Sequence, residues 1–244
     1  MSRSAWQRVT TIGIDVGDRS SNWCALDDDG EVVAEQKIPT RRAAFAVLFD
    51  GIGRKRIAIE AGMHSRWITH LLEALGHEVL VANSRKLQLI SRSRQKDDRH
   101  DARNLARLAR FDPQLLHPIQ HRSQTSQQHL ELLRARDVLV AVRTKLVNHL
   151  RGAAKPFGIR LPKCTPSALV KKAPAVVPPE LSDAMAPLLE MIKSLSAQIR
   201  NYDRRIEKLA DHTYTESRAL RQVSGVGSLT ALAFMLALDD PRRF

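Results

Sequence analysis

The chain is poor in cysteine, has no long apolar run and carries fewer acids than bases, and each shortage removes a class of protein. Only two cysteines, Cys24 and Cys164, occur among 244 residues. They lie far apart, with no second thiol or histidine at zinc-ligand spacing, so neither a disulfide framework nor a structural zinc site is expected. Such thiol usage suits a reducing, cytoplasmic compartment. No apolar stretch approaches the roughly 18 residues that would span a bilayer, so no membrane partner is expected. Residues 1–8 also lack the apolar core of a signal peptide. Against 26 Asp+Glu stand 39 Lys+Arg, a formal net charge of +13. A surplus of that size makes a polyanion, nucleic acid first, the leading physical partner.

The first half alternates short β-rich runs with helical ones. Residues 9–16 (VTTIGIDV), 22–26 and 31–38 read as three strands of a meander, the last two parted by the turn signal Asp27-Asp28-Asp29-Gly30. A helix at 42–49, a strand at 56–60, a helix at 65–75 and a strand at 78–81 follow. That order predicts an α/β fold with a mixed sheet. From 84 to 110 the pattern turns helical, with a break at 95–97.

The second half reads as helical. Leu132, Leu139 and Leu146 recur every seven residues, offset by three from Ala135, Val142 and His149, which predicts a long helix over 123–150 with one apolar seam. A loop holding Pro156, Pro162, Pro166, Pro174, Pro178 and Pro179 follows. A second seam, Met185, Leu188, Ile192, Leu195, Ile199, Tyr202, Ile206 and Leu209, predicts a partner helix and thus a coiled-coil hairpin or dimerisation arm. The chain closes with a short helix, the turn Ser224-Gly225-Val226-Gly227 and an apolar helix over 228–238.

Four carboxylates stand where chemistry would need them. Asp15 and Glu60 each end an apolar strand, a costly place for a charge unless a cation or donors balance it. Asp98 and Asp101, three apart, share one helix face. Together these oxygens would hold two Mg2+ ions about 3.5–4 Å apart, the arrangement that polarises a phosphodiester. The bland alternative for Asp98 and Asp101 is a first helical turn whose acids answer the helix dipole and pair with Arg99 and Arg103. His64, His100 and His149 are given no catalytic role.

Arg85, Lys86, Arg92, Arg94, Lys96, Arg99 and Arg103 crowd the stretch that carries the last two acids, with Arg107 and Arg110 beyond. Like charges on neighbouring turns repel unless a polyanion relieves them, so these residues are candidate nucleic-acid contacts. Gly225 and Gly227 would expose backbone amides to a phosphate, or else simply let two helices pack closely.

The stretches Gly13-Ile14-Asp15-Val16-Gly17, Ile59-Glu60-Ala61-Gly62, Lys96-Asp97-Asp98-Arg99-His100-Asp101-Ala102 and Val226-Gly227-Ser228-Leu229-Thr230-Ala231 resemble, in order and spacing, the DEDD transposases of bacterial insertion sequences. That group includes the Piv invertase and bridge-RNA-guided recombinases. The resemblance implies a ribonuclease H-like (RuvC-like) catalytic domain over 1–112, a coiled-coil region over 113–212 and the start of a helix-hairpin-helix-like C-terminal transposase domain over 213–244. It further implies DNA as substrate, Asp15, Glu60, Asp98 and Asp101 as Mg2+ ligands, a homodimer or higher oligomer, and in some members a guide RNA. Family members carry a nucleophilic serine beyond the Asp-Asp-Pro-x-x-Phe stretch, where this sequence stops at Phe244. Ser224 and Ser228 precede that position, so a chain truncated before its serine is expected to keep nucleic-acid and metal binding but not complete transposition. The alternatives are a non-catalytic nucleic-acid-binding remnant, a Holliday-junction resolvase of the same fold, and an actin-like ATPase. Against the ATPase, no later Gly-rich adenosine loop is seen.

Overall fold

A computed structural model describes residues 1–86 and 98–243, the side chains of residues 98 and 99 excepted. It divides into two compact units, one formed by Met1–His121 with Arg242 and Arg243, the other by Arg122–Pro241.

The first unit is α/β. Its elements run α1 (Arg3–Arg8), β1 (Thr11–Asp15), β2 (Ser20–Leu26), β3 (Val32–Pro39), α2 (Arg42–Phe49), β4 (Arg56–Glu60), α3 (Ser65–Ala74), β5 (Glu78–Ala82) and α4 (Asp98–Phe111). The sheet order is β3-β2-β1-β4-β5. β1, β2 and β3 are antiparallel neighbours, as a meander requires, whereas β4 and β5 continue parallel to β1 through helical crossovers. This is the mixed five-stranded sheet that the strand-helix alternation predicts, and it is consistent with a ribonuclease H-like fold. α1 lacks a counterpart in the sequence pattern, being a single short stretch capped by Ser2 and anchored by Trp6 on Trp23, ring centroids 5.7 Å apart.

Alternation gives the sheet two different faces. On one, Ile12, Ile14, Trp23, Ile57 and Ile59 pack against Phe45 and Phe49 of α2 and Ile68 and Leu72 of α3. Burying each such side chain is worth about 1.5–3 kcal/mol. The other face presents Gly13, Cys24, Leu26, Ala58 and Ala82 to α4, which answers with Ala102, Leu105, Ala106 and Ala109. Small residues on both sides let α4 lie directly on the backbone. A Cβ on Gly13 would come 2.1 Å from the Ala102 carbonyl oxygen and 2.4 Å from the Ala106 nitrogen.

The second unit is helical, with α5 (Gln124–Ala154), α6 (Pro166–Lys172), α7 (Pro179–His212), α8 (Ser217–Leu220) and α9 (Ser228–Leu238). α5 and α7 run antiparallel. The Arg136 Nε donates to the Asp203 carboxylate at 2.9 Å, and seven residues further along α5, Arg143 reaches Ser196, seven residues back along α7, at 3.3 Å. The line of α5 that enters the core is Ser126, Leu133, Val147, Leu150 and Ala154, one residue displaced from the expected Leu132, Leu139 and Leu146, which are only half-buried. Two adjacent lines of α5 are apolar, and heptad spacing alone cannot rank them. On α7 the expected Met185, Ile192, Leu195, Ile199 and Ile206 are buried. The prolines do less than expected to exclude helix: Pro166 and Pro179 open α6 and α7, where a missing N–H is harmless. The start of α5 is capped from the far end of the unit by Asp239, which accepts the Ser123 N–H at 2.7 Å and its hydroxyl at 3.0 Å. Among the described residues no helix is long and apolar enough to cross a membrane.

Candidate active site and nucleic-acid interface

The site begins with strand register. β1 and β4 are parallel with Gly13 opposite Ala58 and Ile14 opposite Ile59. One further step places Asp15 beside Glu60, on strands about 4.8 Å apart. Both acids share the face that carries Gly13 and Ala58, so they lie on the α4 side of the sheet at the carboxyl ends of two neighbouring strands. Each is half-buried. Two half-buried carboxylates side by side at strand ends repel unless a cation stands nearby.

The third component arrives with α4, whose first residue is Asp98. Its direction follows from its contacts: the Arg56 guanidinium, at the start of β4, donates to the Ala109 carbonyl at 3.4 Å, whereas Ala102 lies over Gly13. α4 therefore descends as β1 and β4 rise. Asp15 stands two strand residues above Gly13, about 6.6 Å; Asp98 stands four helical residues above Ala102, about 6 Å. The first residue of α4, Asp98, thus stands towards the same end of the sheet as Asp15 and Glu60. Its side chain lies outside the described residues. Asp101 is exposed at the same end of α4. Among the described residues no three His, Cys, Asp or Glu side chains gather as a metal cluster.

Two residues with no assigned role in the sequence reading stand on the loops that follow the acidic strands. The Trp67 indole N–H donates to His64 Nδ1 at 3.0 Å, which leaves the proton on His64 Nε2, 3.1 Å from an Asp18 carboxylate oxygen. His64 and Asp18 thereby tie the loop after β4 to the loop after β1. No local sequence signal links residues so far apart.

The basic residues separate into distinct situations. Arg85 and Lys86 are exposed just beyond the carboxyl end of β5, beside the acidic edge. Arg92, Arg94 and Lys96 lie outside the described residues, as does the side chain of Arg99. Arg103 makes a bidentate pair with Glu35 of β3, at 2.6 and 2.7 Å, which fastens α4 to the meander. Arg110 is bound to the Asp28 carbonyl. In the second unit Gly225 has a φ of 84°, which only glycine adopts without strain, and Gly227 caps α9 with open space around its Cα.

Cys24 is fully buried under α4 beside Arg103 and Glu35. Burial, followed by the Glu35 carboxylate, pushes its thiol from 9.0 up to about 12. It is a packing residue with no thiolate chemistry to offer.

The sheet thus brings two carboxylates to adjacent strand ends beneath a helix that begins with an acid. Residues 12–156 match the model of a transposase family, the DEDD type of IS110 elements. The chain belongs to that DEDD transposase family. It is 32% identical to a protein of Sinorhizobium fredii described as transposase y4pF/y4sB, across 98% of this chain and 61% of that protein. It is 25% identical to a protein of Pseudomonas aeruginosa described as a family 20 transposase, across 97% and 70%. It is 21% identical to the transposase for insertion sequence element IS1111A of Coxiella burnetii, across 99% and 66%. The chain spans about three-fifths to seven-tenths of the length of these relatives.

Proposed function

We propose that the chain carries the DNA-cleaving part of a transposase or site-specific recombinase, with a ribonuclease H-like (RuvC-like) catalytic domain over 1–112, a coiled-coil region over 113–212 and the beginning of a C-terminal transposase domain over 213–244. The observation that carries the reading is Asp15 beside Glu60 on the α4 side of the sheet, with α4 beginning at Asp98 towards the same end.

The donor set fits a hard divalent cation, since it offers carboxylate oxygens and no thiol or imidazole among the four candidates. Asp15, Glu60 and Asp98, with Asp101 at the rim, would hold Mg2+. When bound, the ion supplies charge stabilisation to a phosphodiester under attack. The remaining work falls to the chain. The strand ends fix Asp15 and Glu60 at one spacing, Arg85 and Lys86 hold backbone phosphates beside them, and His64 with Asp18 keeps the two loops together. Exposed Val138 and Val142 on α5 support self-association along the helix pair. A guide RNA would share the basic surface.

Calorimetric titration with Mg2+ and Mn2+, paired with nicking of supercoiled DNA, tests the site. Asp15→Asn and Glu60→Gln should each weaken cation binding about tenfold or more and abolish nicking, with unchanged circular dichroism. Equal cation affinity in native and variant chains would overturn the metal site. Absence of nicking in all of them, with DNA still bound, would favour a nucleic-acid-binding role alone.

A further inference from the structure

We propose that a groove at one end of the α5/α7 pair binds a single nucleic-acid strand, stacking a base at Tyr202 and holding adjoining phosphates on Arg205 and Lys208. The groove has a volume of about 700 Å3 and is bounded by Leu132 and Ala135 of α5 and Tyr202, Arg205, Lys208 and Leu209 of α7. That volume lies within the range of sites that enclose a nucleotide-sized ligand.

Three features select the ligand. The first is charge. Three nearby acids are paired within the unit, Glu131 with Arg134, Asp203 with Arg136 at 2.9 Å and Asp211 with Arg221 at 2.7 Å, and exposed Glu207, between Arg205 and Lys208 on α7, does not line the groove. Arg205 and Lys208 form no ion pair among the described residues, so the uncompensated charge at the groove is positive. The second is the aromatic platform. The Arg205 guanidinium lies over the Tyr202 ring, 5.7 Å from its centre, so an aromatic face and a cation stand together where a base and its phosphate could be held. The third is the apolar floor of Leu132, Ala135 and Leu209, which a phosphate alone would not use but a base would. A base reaches that floor and ring only when it is unpaired and turned out of its stack, which selects a single strand over a duplex.

The groove lies in the unit that does not contain Asp15 or Glu60, so the proposal rests on the transposase reading only for its choice of polyanion. Its test therefore uses the full chain in EDTA, with no turnover: fluorescence anisotropy of labelled single-stranded DNA, single-stranded RNA and a matched duplex over a series of salt concentrations. The double variant Arg205→Glu/Lys208→Glu should lower single-strand affinity about tenfold or more and flatten the slope of log K against log salt by about 1.4, two phosphate contacts' worth. Tyr202→Leu, which keeps an apolar side chain at the helix interface, should weaken the single strand about fivefold or more by loss of stacking while leaving the salt slope unchanged. Duplex affinity should change much less, and circular dichroism should show intact helices. Native-like single-strand affinity in the groove variants overturns the proposal, and so does an equal loss for duplex. A changed sedimentation coefficient with unchanged strand affinity would also overturn it, marking the groove as a protein contact. Failure of Asp15→Asn to lose cation binding would count against the catalytic reading and leave this one standing.

Discussion

Gly13 and Ala102 meet backbone to backbone: a Cβ on Gly13 would lie 2.1 Å from the Ala102 carbonyl oxygen, far inside any tolerated contact. That closeness fixes how near α4 lies to β1, the strand that ends in Asp15. Gly13→Ala should therefore push α4 from the sheet and destabilise the first unit by about 1–3 kcal/mol or more, while weakening cation binding. Gly62→Ala is the matched control. Gly62 follows Glu60 by two residues, has open space within 4 Å of where a Cβ would stand and has no left-handed φ. It should shift stability by less than about 1 kcal/mol. Urea unfolding of the two variants beside the native chain checks the contrast, and equal losses would mean that α4 does not rest on Gly13.

Arg103 is fastened to Glu35 through two hydrogen bonds of 2.6 and 2.7 Å. Its side chain is 33% exposed and that of Glu35 23%, so solvent screens the pair in part. A double-mutant cycle with Arg103→Gln and Glu35→Gln should give a coupling of about 1 kcal/mol in unfolding free energy. Duplex DNA affinity should fall less for Arg103→Gln than for Arg85→Gln or Lys86→Gln, whose side chains are exposed at the acidic edge. A larger binding loss at Arg103 would return it to the group of direct phosphate contacts.

The parts of this arrangement that are legible in the sequence share one property: their signal is local. Alternation of β-branched residues marks β1 and β4, and an acid at the end of each apolar run marks Asp15 and Glu60. What escapes depends on pairing across distance. Glu35 and Arg103 belong to different elements with no shared motif, as do Asp18 and His64. The line of α5 facing α7 is displaced by one residue because Leu132, Leu139, Leu146 and Leu133, Val140, Val147 are both apolar heptad lines, and the choice between them is made by what α7 presents. Arg136 and Arg143, which sit on the α7 side, break the seam that sequence patterning looks for and are accepted only because Asp203 and Ser196 stand opposite. A proline marks a helix start as readily as a helix end, and residues on either side of Pro166 and Pro179 do not resolve which.

Cys24 supplies a prediction on the alkaline side. Burial first, and the Glu35 carboxylate second, raise its thiol from 9.0 to about 12. The unfolded chain releases this proton near 9, whereas the folded chain keeps it. The folded state thus binds more protons in that window, and its stability falls as pH rises from about 9 towards 12, being fully present below 9. The urea midpoint should drop more steeply above pH 9 for the native chain than for Cys24→Ala. Thiol labelling at neutral pH should modify half-buried Cys164 and spare Cys24 until the protein unfolds. Rapid labelling of Cys24 in the folded chain would contradict its burial.

His121 makes the opposite prediction on the acid side. Its Nε2 is buried without a hydrogen-bond partner among the described residues. Burial first, then the positive charges of Arg66, His70 and Arg243, lower it from 6.5 to about 4. As pH falls through 6.5 the unfolded chain takes up a proton that the folded chain refuses. The contribution of neutral His121 to stability is therefore complete above 6.5 and is lost as pH falls towards 4. His121→Gln, which keeps a polar side chain of similar reach but cannot ionise, should unfold less steeply with acid over that interval. Proton NMR of the imidazole gives the direct measurement. A His121 resonance titrating near 4 fits a ring enclosed among cations, whereas titration near 6.5 would mean that Arg66, His70 and Arg243 do not hold it in that enclosure.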